Sequence, residues 1–191
     1  MKQRVLILHG LGHYRPDGHW LRWLAEQLRQ RGIPVQYPQF PTPEEPILEE
    51  WLALAEAELA QLGEDPEAER VVVAHSLGTV LWRHLAHRGL AHADRALFVG
   101  PPSLDRLGGQ LTPFSFATFD QLAAIGAVPV TAVMREKDLY RTTPAEEYTA
   151  AWPAEVHILP GEGHFNLDDG HGPFPAALEW VVTGRFDPAG A

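Results

Sequence analysis

Residues Val71–Gly78 read VVVAHSLG, an apolar run that ends in a serine between two small residues. The run is rich in β-branched side chains, which favour a buried strand, and helical spacing begins directly after it. A tight strand-to-helix turn at Ser76 requires small residues two positions before and after it, because larger ones would collide with the adjacent strand and helix. Ala74 and Gly78 meet this requirement. The stretch therefore predicts a strand, a sharp turn at Ser76 and a helix.

Short apolar runs recur along the chain, and longer segments with helical spacing separate most of them, the first helix beginning near Asp17. The predicted strands are Val5–Leu8, Ile33–Tyr37, Arg70–Ala74, Arg95–Val99, Val128–Met134 and Glu155–Leu159. Apolar strands that alternate with helices form parallel sheets covered on both faces. We predict an α/β fold: a three-layer α/β/α sandwich with a mostly parallel, doubly wound sheet of about six strands and a minimal lid. One domain should span residues 1–184, followed by a loose tail, Arg185–Ala191.

Composition excludes several classes of function. The 191 residues contain 25 Asp and Glu against 15 Lys and Arg, a formal net charge of -10, which disfavours nucleic acid as a partner. The chain has no cysteine, so disulfides, thiolate-bound zinc and a cysteine nucleophile are excluded. No apolar run is long enough to span a membrane, and the run that follows Met1 is too short for a signal peptide. We expect a cytoplasmic protein that does not bind membranes.

Ser76 has the position of a nucleophile that needs a base, and the amides of the helix below it could stabilise an oxyanion. The alternative is a serine that only caps that helix. In this architecture the order along the chain is serine, acid, histidine. His164 follows the last predicted strand in a glycine-rich loop and is the predicted base, with His171 as its competitor.

The acid should also follow a strand end, where its carboxylate can orient the imidazole. Asp138 lies four residues beyond Met134 and is the predicted acid. Asp105, after the preceding strand, is the main alternative. Asp168 and Asp169 are close to His164 in sequence and are interpreted as loop caps.

A second candidate element follows the first strand, where residues 9–12 read HGLG. A strand followed by such a turn can direct the amide of Leu11, or that of Gly12, toward the nucleophile. Together with the amide of Leu77, this amide would form an oxyanion hole.

These residues resemble the small α/β-hydrolase family that includes retinoblastoma-binding protein 9. The resemblance extends over nearly the whole chain and rests on HG at 9–10 with HW at 19–20, AHSLG at 74–78, an aspartate after the penultimate strand, GHFN at 163–166 and GHG at 170–172. It implies Ser76 as nucleophile, Asp138 as acid and His164 as base. The acid segment departs from the family: residues 135–140 read REKDLY, where a small residue and a second aspartate are more usual.

The sequence offers fewer signals for the residues that bind the substrate than for the triad. The irregular segment Gly100–Thr118 is the longest in the chain, and long loops in compact domains are often functional. Aromatic residues near the predicted strand ends suggest an apolar acyl pocket. The candidate substrate-binding residues are Gly12, His75, Phe114 and Tyr140, with Phe116 and Phe119 also in these loops.

We predict a serine hydrolase that cleaves a carboxylic ester or related small acyl substrate without a metal or organic cofactor. Triad chemistry alone does not separate esterase from amidase or peptidase activity. Two histidine groups, His9/His13/His19 and His157/His164/His171, lack the spacing of a zinc site. The alternative function is a catalytically weak hydrolase-fold protein that binds other proteins. The retinoblastoma-type pocket motif requires cysteine, so that interaction is not inferred. Oligomeric state is not readable from the sequence.

Overall fold

The computed structural model describes residues 2–63, 65–115 and 124–191. Six strands form one parallel sheet in the order β2-β1-β3-β4-β5-β6. The strands are β1 (Lys2–Leu8), β2 (Val35–Gln36), β3 (Ala68–His75), β4 (Arg95–Val99), β5 (Val130–Lys137) and β6 (Glu155–Glu162). The helices are α1 (Trp20–Gln30), α2 (Leu48–Gln61), α3 (Leu77–His87), α4 (Ala145–Thr149) and α5 (Pro175–Thr183).

The two faces of the sheet are covered by different helices, because alternate side chains of a strand point to opposite faces. On one face, residues such as Leu6, Val72 and Ala96 pack against α2, α3 and α4. On the other face, residues such as Val5 and Val71 pack against α1 and α5. This three-layer arrangement around a parallel sheet of six strands confirms the predicted α/β/α sandwich.

Strand order also fixes where a ligand can bind. From β1, the chain first passes to β2 at one edge and then to β3 on the other side of β1. The loops after β1 and β3 therefore leave the sheet toward opposite faces, which opens a crevice at its carboxyl edge. Both predicted oxyanion segments and Ser76 lie at this point.

The first helix begins later than predicted. Asp17 does not cap it but forms an ion pair with Arg22. Gly18, at φ 82°, turns the chain between them, and His19 becomes the cap, its Nδ1 accepting a hydrogen bond from the amide of Leu21 at 3.2 Å. Histidine is an uncommon cap, so the sequence pattern favoured the nearby aspartate.

The predicted loose tail, Arg185–Ala191, is mostly exposed, but one of its residues packs against β6 and the segment before α5. Phe186 is buried, with its ring centroid 4.7 Å from that of His157 and 6.1 Å from that of Phe174. Asp187 then accepts a hydrogen bond from the amide of Ala189 in a short 3₁₀ turn. A single buried aromatic residue produces no periodic pattern, so the sequence did not indicate this contact.

In the described part of the chain, no helix combines the length and the apolar character needed to cross a lipid bilayer.

Candidate active site

Ser76 lies at a sharp turn between β3 and α3. Its backbone has φ 53° and ψ -124°, a conformation that a residue with a side chain rarely adopts, and its amide donates to the carbonyl of Val99 at 3.0 Å. Its side chain forms no capping hydrogen bond to α3 in the described structure. The alternative role as a simple helix cap is therefore wrong.

Two glycines allow the turn to pack this closely. A Cβ at Gly78 would lie 2.4 Å from the carbonyl oxygen of Leu8, and a Cβ at Gly10 would lie 2.7 Å from the Cβ of Ser76. Neither distance is tolerated by real side chains. The steric requirement predicted for position 78 is thus met against the backbone of β1, and the turn after β1 lies against the serine.

The side chains of Ser76, His164 and Asp138 form one continuous hydrogen-bonded array. Asp138 Oδ2 is 2.7 Å from His164 Nδ1, and His164 Nε2 is 2.7 Å from Ser76 Oγ. A carboxylate only accepts, so Nδ1–H donates to Asp138 and Nε2 is left to accept the Ser76 hydroxyl hydrogen. The side chain of Asp138 is fully buried, and its other oxygen accepts from the amide of Tyr140 at 2.8 Å.

The backbone of His164 is held at both ends. Its amide donates to Asp169 Oδ2 at 2.5 Å, and its carbonyl accepts from Nε2–H of the buried His75 at 2.8 Å. Asp169 also accepts from the amide of Asn166, which confirms its interpretation as a loop cap. The glycine-rich loop therefore presents the imidazole in one orientation.

Asp105 and His171, the alternative acid and base, are engaged elsewhere. Asp105 Oδ2 accepts from the Thr142 hydroxyl at 2.6 Å. The ring of His171 packs edge-on against Phe165 and Phe174. Neither side chain takes part in the array around Ser76.

The amides predicted to bind an oxyanion differ in availability. Among the described residues, no hydrogen bond is formed by the amide of Leu11 or that of Leu77, and both residues line the cavity at Ser76. The amide of Gly12 donates to the carbonyl of Pro43 at 2.7 Å. The prediction that the amide of Gly12 could bind the oxyanion is therefore wrong. The same role for the amides of Leu11 and Leu77 stays a prediction.

A cavity of about 150 Å³ opens beside Ser76 and His164. His75 and Tyr140 line it as predicted, and the ring of Tyr140 lies 4.4 Å from that of His164. Gly12 and Phe114 do not line it. Phe114 is fully buried in the core, with its ring 5.8 Å from that of Trp51, because the turn that ends at Phe114 packs on α3, where its carbonyl lies 3.0 Å from His84 Nε2. Phe116 and Phe119 lie outside the described residues.

Sequence reasoning missed most of the cavity wall. It identified the segment Gly100–Thr118 but none of the four residues in it that line the cavity: Pro102, Arg106, Leu107 and Leu111. Arg106 and Leu111 lie in two short 3₁₀ turns, Leu104–Arg106 and Gly109–Phe114, and Pro102 and Leu107 lie just before and after the first of them. Such turns leave no long-range periodicity, so the only available signal was the loop's length.

Comparisons with known proteins show the family to which the chain belongs. A family described as serine hydrolase matches residues 5–182. The chain belongs to the serine hydrolase family. It is 28% identical over 194 residues to YdeN of Bacillus subtilis (strain 168), covering 97% of each protein. This confirms the family resemblance drawn from the motifs.

Solved structures of other proteins share the fold of this serine hydrolase. The ydeN gene product of B. subtilis superimposes with a TM-score of 0.77 at 23% identity, covering 96% of this chain and 98% of that one. A YdeN-like protein from Pectobacterium atrosepticum gives a TM-score of 0.71 at 19% identity, covering 95% and 90%. At these identities the likeness shows the fold alone.

A row of buried histidines leads to the candidate active site. Neighbouring ring centroids are 5.0, 4.4, 5.6 and 5.3 Å apart along His9, His13, His19, His75 and His164. No set of three or more His, Asp or Glu residues within 2–63, 65–115 and 124–191 is arranged to hold a metal ion.

Most of these rings are held in the neutral form. Burial lowers the pKa of His9 to about 4, that of His13 to about 2 and that of His19 to about 4. Burial also lowers the pKa of His75 well below its ordinary value, and the neighbouring His164 adds to this effect. Hydrogen bonding agrees: His9 Nδ1–H donates to the carbonyl of Gly10, while its Nε2 accepts from the amide of Phe40.

These lowered pKa values predict that the free energy of unfolding decreases as the pH is lowered. Below the unfolded value of about 6.5 the unfolded chain takes up protons that the folded chain refuses, so stability is lost as pH decreases. Each such histidine should contribute about 1.4 kcal/mol per pH unit between pH 6.5 and its folded pKa. We expect urea unfolding at pH 7.5 and pH 5 to show a loss of several kcal/mol.

A matched pair of variants tests the cause. His13→Gln should reduce the dependence of the unfolding free energy on pH by about 1.4 kcal/mol per unit below pH 6. The same change at the exposed His92 should leave it as in the wild type. Equal pH dependence in all three proteins would contradict the role of the buried ring.

Proposed function

We propose that Ser76, His164 and Asp138 form a catalytic triad that hydrolyses a carboxylic ester or related small acyl substrate. The observation that carries this proposal is the imidazole of His164, which is 2.7 Å from a hydroxyl on one side and 2.7 Å from a buried carboxylate on the other. That geometry makes Nε2 a base for the hydroxyl and the carboxylate a stabiliser of the resulting cation.

The reaction follows from these positions. Ser76 Oγ attacks the acyl carbonyl carbon while His164 Nε2 takes the hydroxyl proton, and the negative charge moves to the carbonyl oxygen. Amides of Leu77 and Leu11 then donate to this oxyanion; one such donor is typically worth about 3 kcal/mol of barrier. His164 returns the proton to the departing alcohol oxygen, which leaves an acyl ester on Ser76. Water attacks that ester by the same proton path and restores the serine.

Labelling by a fluorophosphonate tests this function and separates it from a protein-binding role. The probe phosphonylates a serine only where a base activates it, so we expect one label per chain, located on Ser76 by peptide mass, together with loss of ester turnover. Unlabelled, fully folded protein that turns over no ester would favour the binding role.

His75 is proposed as a positioning residue for His164, because its Nε2–H holds the carbonyl of the base from within the core. His75→Leu leaves that carbonyl unpaired and should lower kcat about tenfold with KM nearly unchanged. His75→Gln retains a donor at similar reach and should recover most of kcat. A purely structural role would lower the unfolding temperature of His75→Leu while leaving kcat of the folded enzyme and its pH profile intact.

A further inference from the structure

The cavity beside Ser76 has an apolar wall with one cation on it. The apolar wall is formed by Leu11, Leu77, Pro102, Leu107 and Leu111. A cavity of about 150 Å³ can accept a group the size of a benzene ring, so this one suits a short acyl chain. Arg106 is the only Lys, Arg, Asp or Glu among the described residues that line it.

The guanidinium of Arg106 has no protein partner in residues 2–63, 65–115 and 124–191. Among the described residues, its neighbour Asp105 forms no ion pair with it, and that carboxylate instead accepts a hydrogen bond from Thr142. Two other arginines of the chain are paired with carboxylates: Arg88 binds Glu49, and Arg95 binds Glu69. Arg106 therefore keeps five donors available at the cavity.

This cation is unusual for a chain with a formal net charge of -10, whose overall field repels anions. A planar guanidinium matches a carboxylate in two parallel hydrogen bonds, which a neutral methyl group at the same place could not accept. The exposed position of Arg106 makes the gain moderate, because solvent screens the pair.

We infer that the preferred substrate is an ester whose acyl chain is short and apolar and ends in a carboxylate bound by Arg106. The acyl carbonyl would lie at Ser76, the methylene groups against the leucines and the distal carboxylate at the guanidinium. This inference rests on the proposed function, since it names the substrate class of the same serine.

Two matched esters test it: phenyl hydrogen glutarate, with a terminal carboxylate, and phenyl pentanoate, with a methyl group in its place. In the wild type, kcat/KM should favour the glutarate. Arg106→Gln should lower the ratio of the two kcat/KM values about tenfold, and Arg106→Lys should retain part of it. Added salt should lower the wild-type ratio as well.

Arg185→Gln is the control, because it removes the same charge from an exposed arginine that follows α5 and should leave the ratio unchanged. Its neighbour Gly184 lies beside the first residues of β4, β5 and β6, at the edge of the sheet opposite to Ser76. An unchanged ratio in Arg106→Gln would overturn the inference. The inference would also be overturned if Arg106→Gln lowered tenfold only the ratio of kcat/KM for 4-acetoxybenzoate to that for phenyl acetate. In that pair of esters the carboxylate is on the alcohol and not on the acyl chain. Turnover of pentanoate with labelling of Ser76 would show in either case that the proposed function still holds.

Discussion

Ser76→Ala is expected to lower kcat for a short activated ester by on the order of 10⁵-fold, because no other group can form the acyl intermediate. His164 Nε2 would then face a methyl group instead of the hydroxyl it contacts at 2.7 Å. Loss of this hydroxyl should not unfold the protein, since the amide of Ser76 keeps its bond to Val99. The backbone strain at φ 53° is also unchanged by the substitution.

The measurement is kcat for wild type and variant, with thermal unfolding of both. Ser115→Ala is a suitable control, because it also removes a serine hydroxyl, and Ser115 does not line the cavity. It should retain wild-type turnover. Turnover by Ser76→Ala within tenfold of the wild type would reject Ser76 as the nucleophile.

Asp138→Asn is expected to lower kcat by on the order of 10⁴-fold. The asparagine amide can donate to Nδ1, which would place the imidazole hydrogen on Nε2, the atom that must accept the proton of Ser76. The side chain of Asp138 is fully buried, so solvent does not reach the carboxylate that orients the ring. The loss should appear in kcat rather than in KM, because the carboxylate does not face the cavity.

Asp105→Asn provides the matched comparison, since Asp105 was the alternative acid. Its carboxylate is exposed and contacts Thr142, so we expect less than about a threefold change in kcat. A large loss at Asp105 with little effect at Asp138 would reverse the assignment of the acid.

The fold was largely predictable because its strands are apolar and its helices regular. The run that ends at Ser76 predicted β3, the turn and α3, and both ends of β3 lie within two residues of the expected bounds. Local capping was less predictable, because the choice of His19 over Asp17 depends on the turn at Gly18. The packing of Phe186 depends on a tertiary contact that no local pattern encodes.

The three polar side chains of the candidate site were predictable for a different reason. Parallel strands end at one edge, so residues that follow β3, β5 and β6 converge there whatever their separation along the chain. The cavity wall was not predictable in the same way. Phe114 and Arg106 are in one irregular loop, and only the path of that loop decides that the arginine reaches the cavity while the phenylalanine is buried.

The central claim is that the oxygen of Ser76 carries the acyl group during turnover. A rapid acid quench of the enzyme during hydrolysis of a slowly deacylated activated ester, followed by intact and peptide mass spectrometry, measures this directly. The account predicts a mass increase of one acyl group, located on Ser76 and absent from Ser76→Ala. Full turnover with no acylated protein at any quench time, or with the acyl group on another residue, would contradict it.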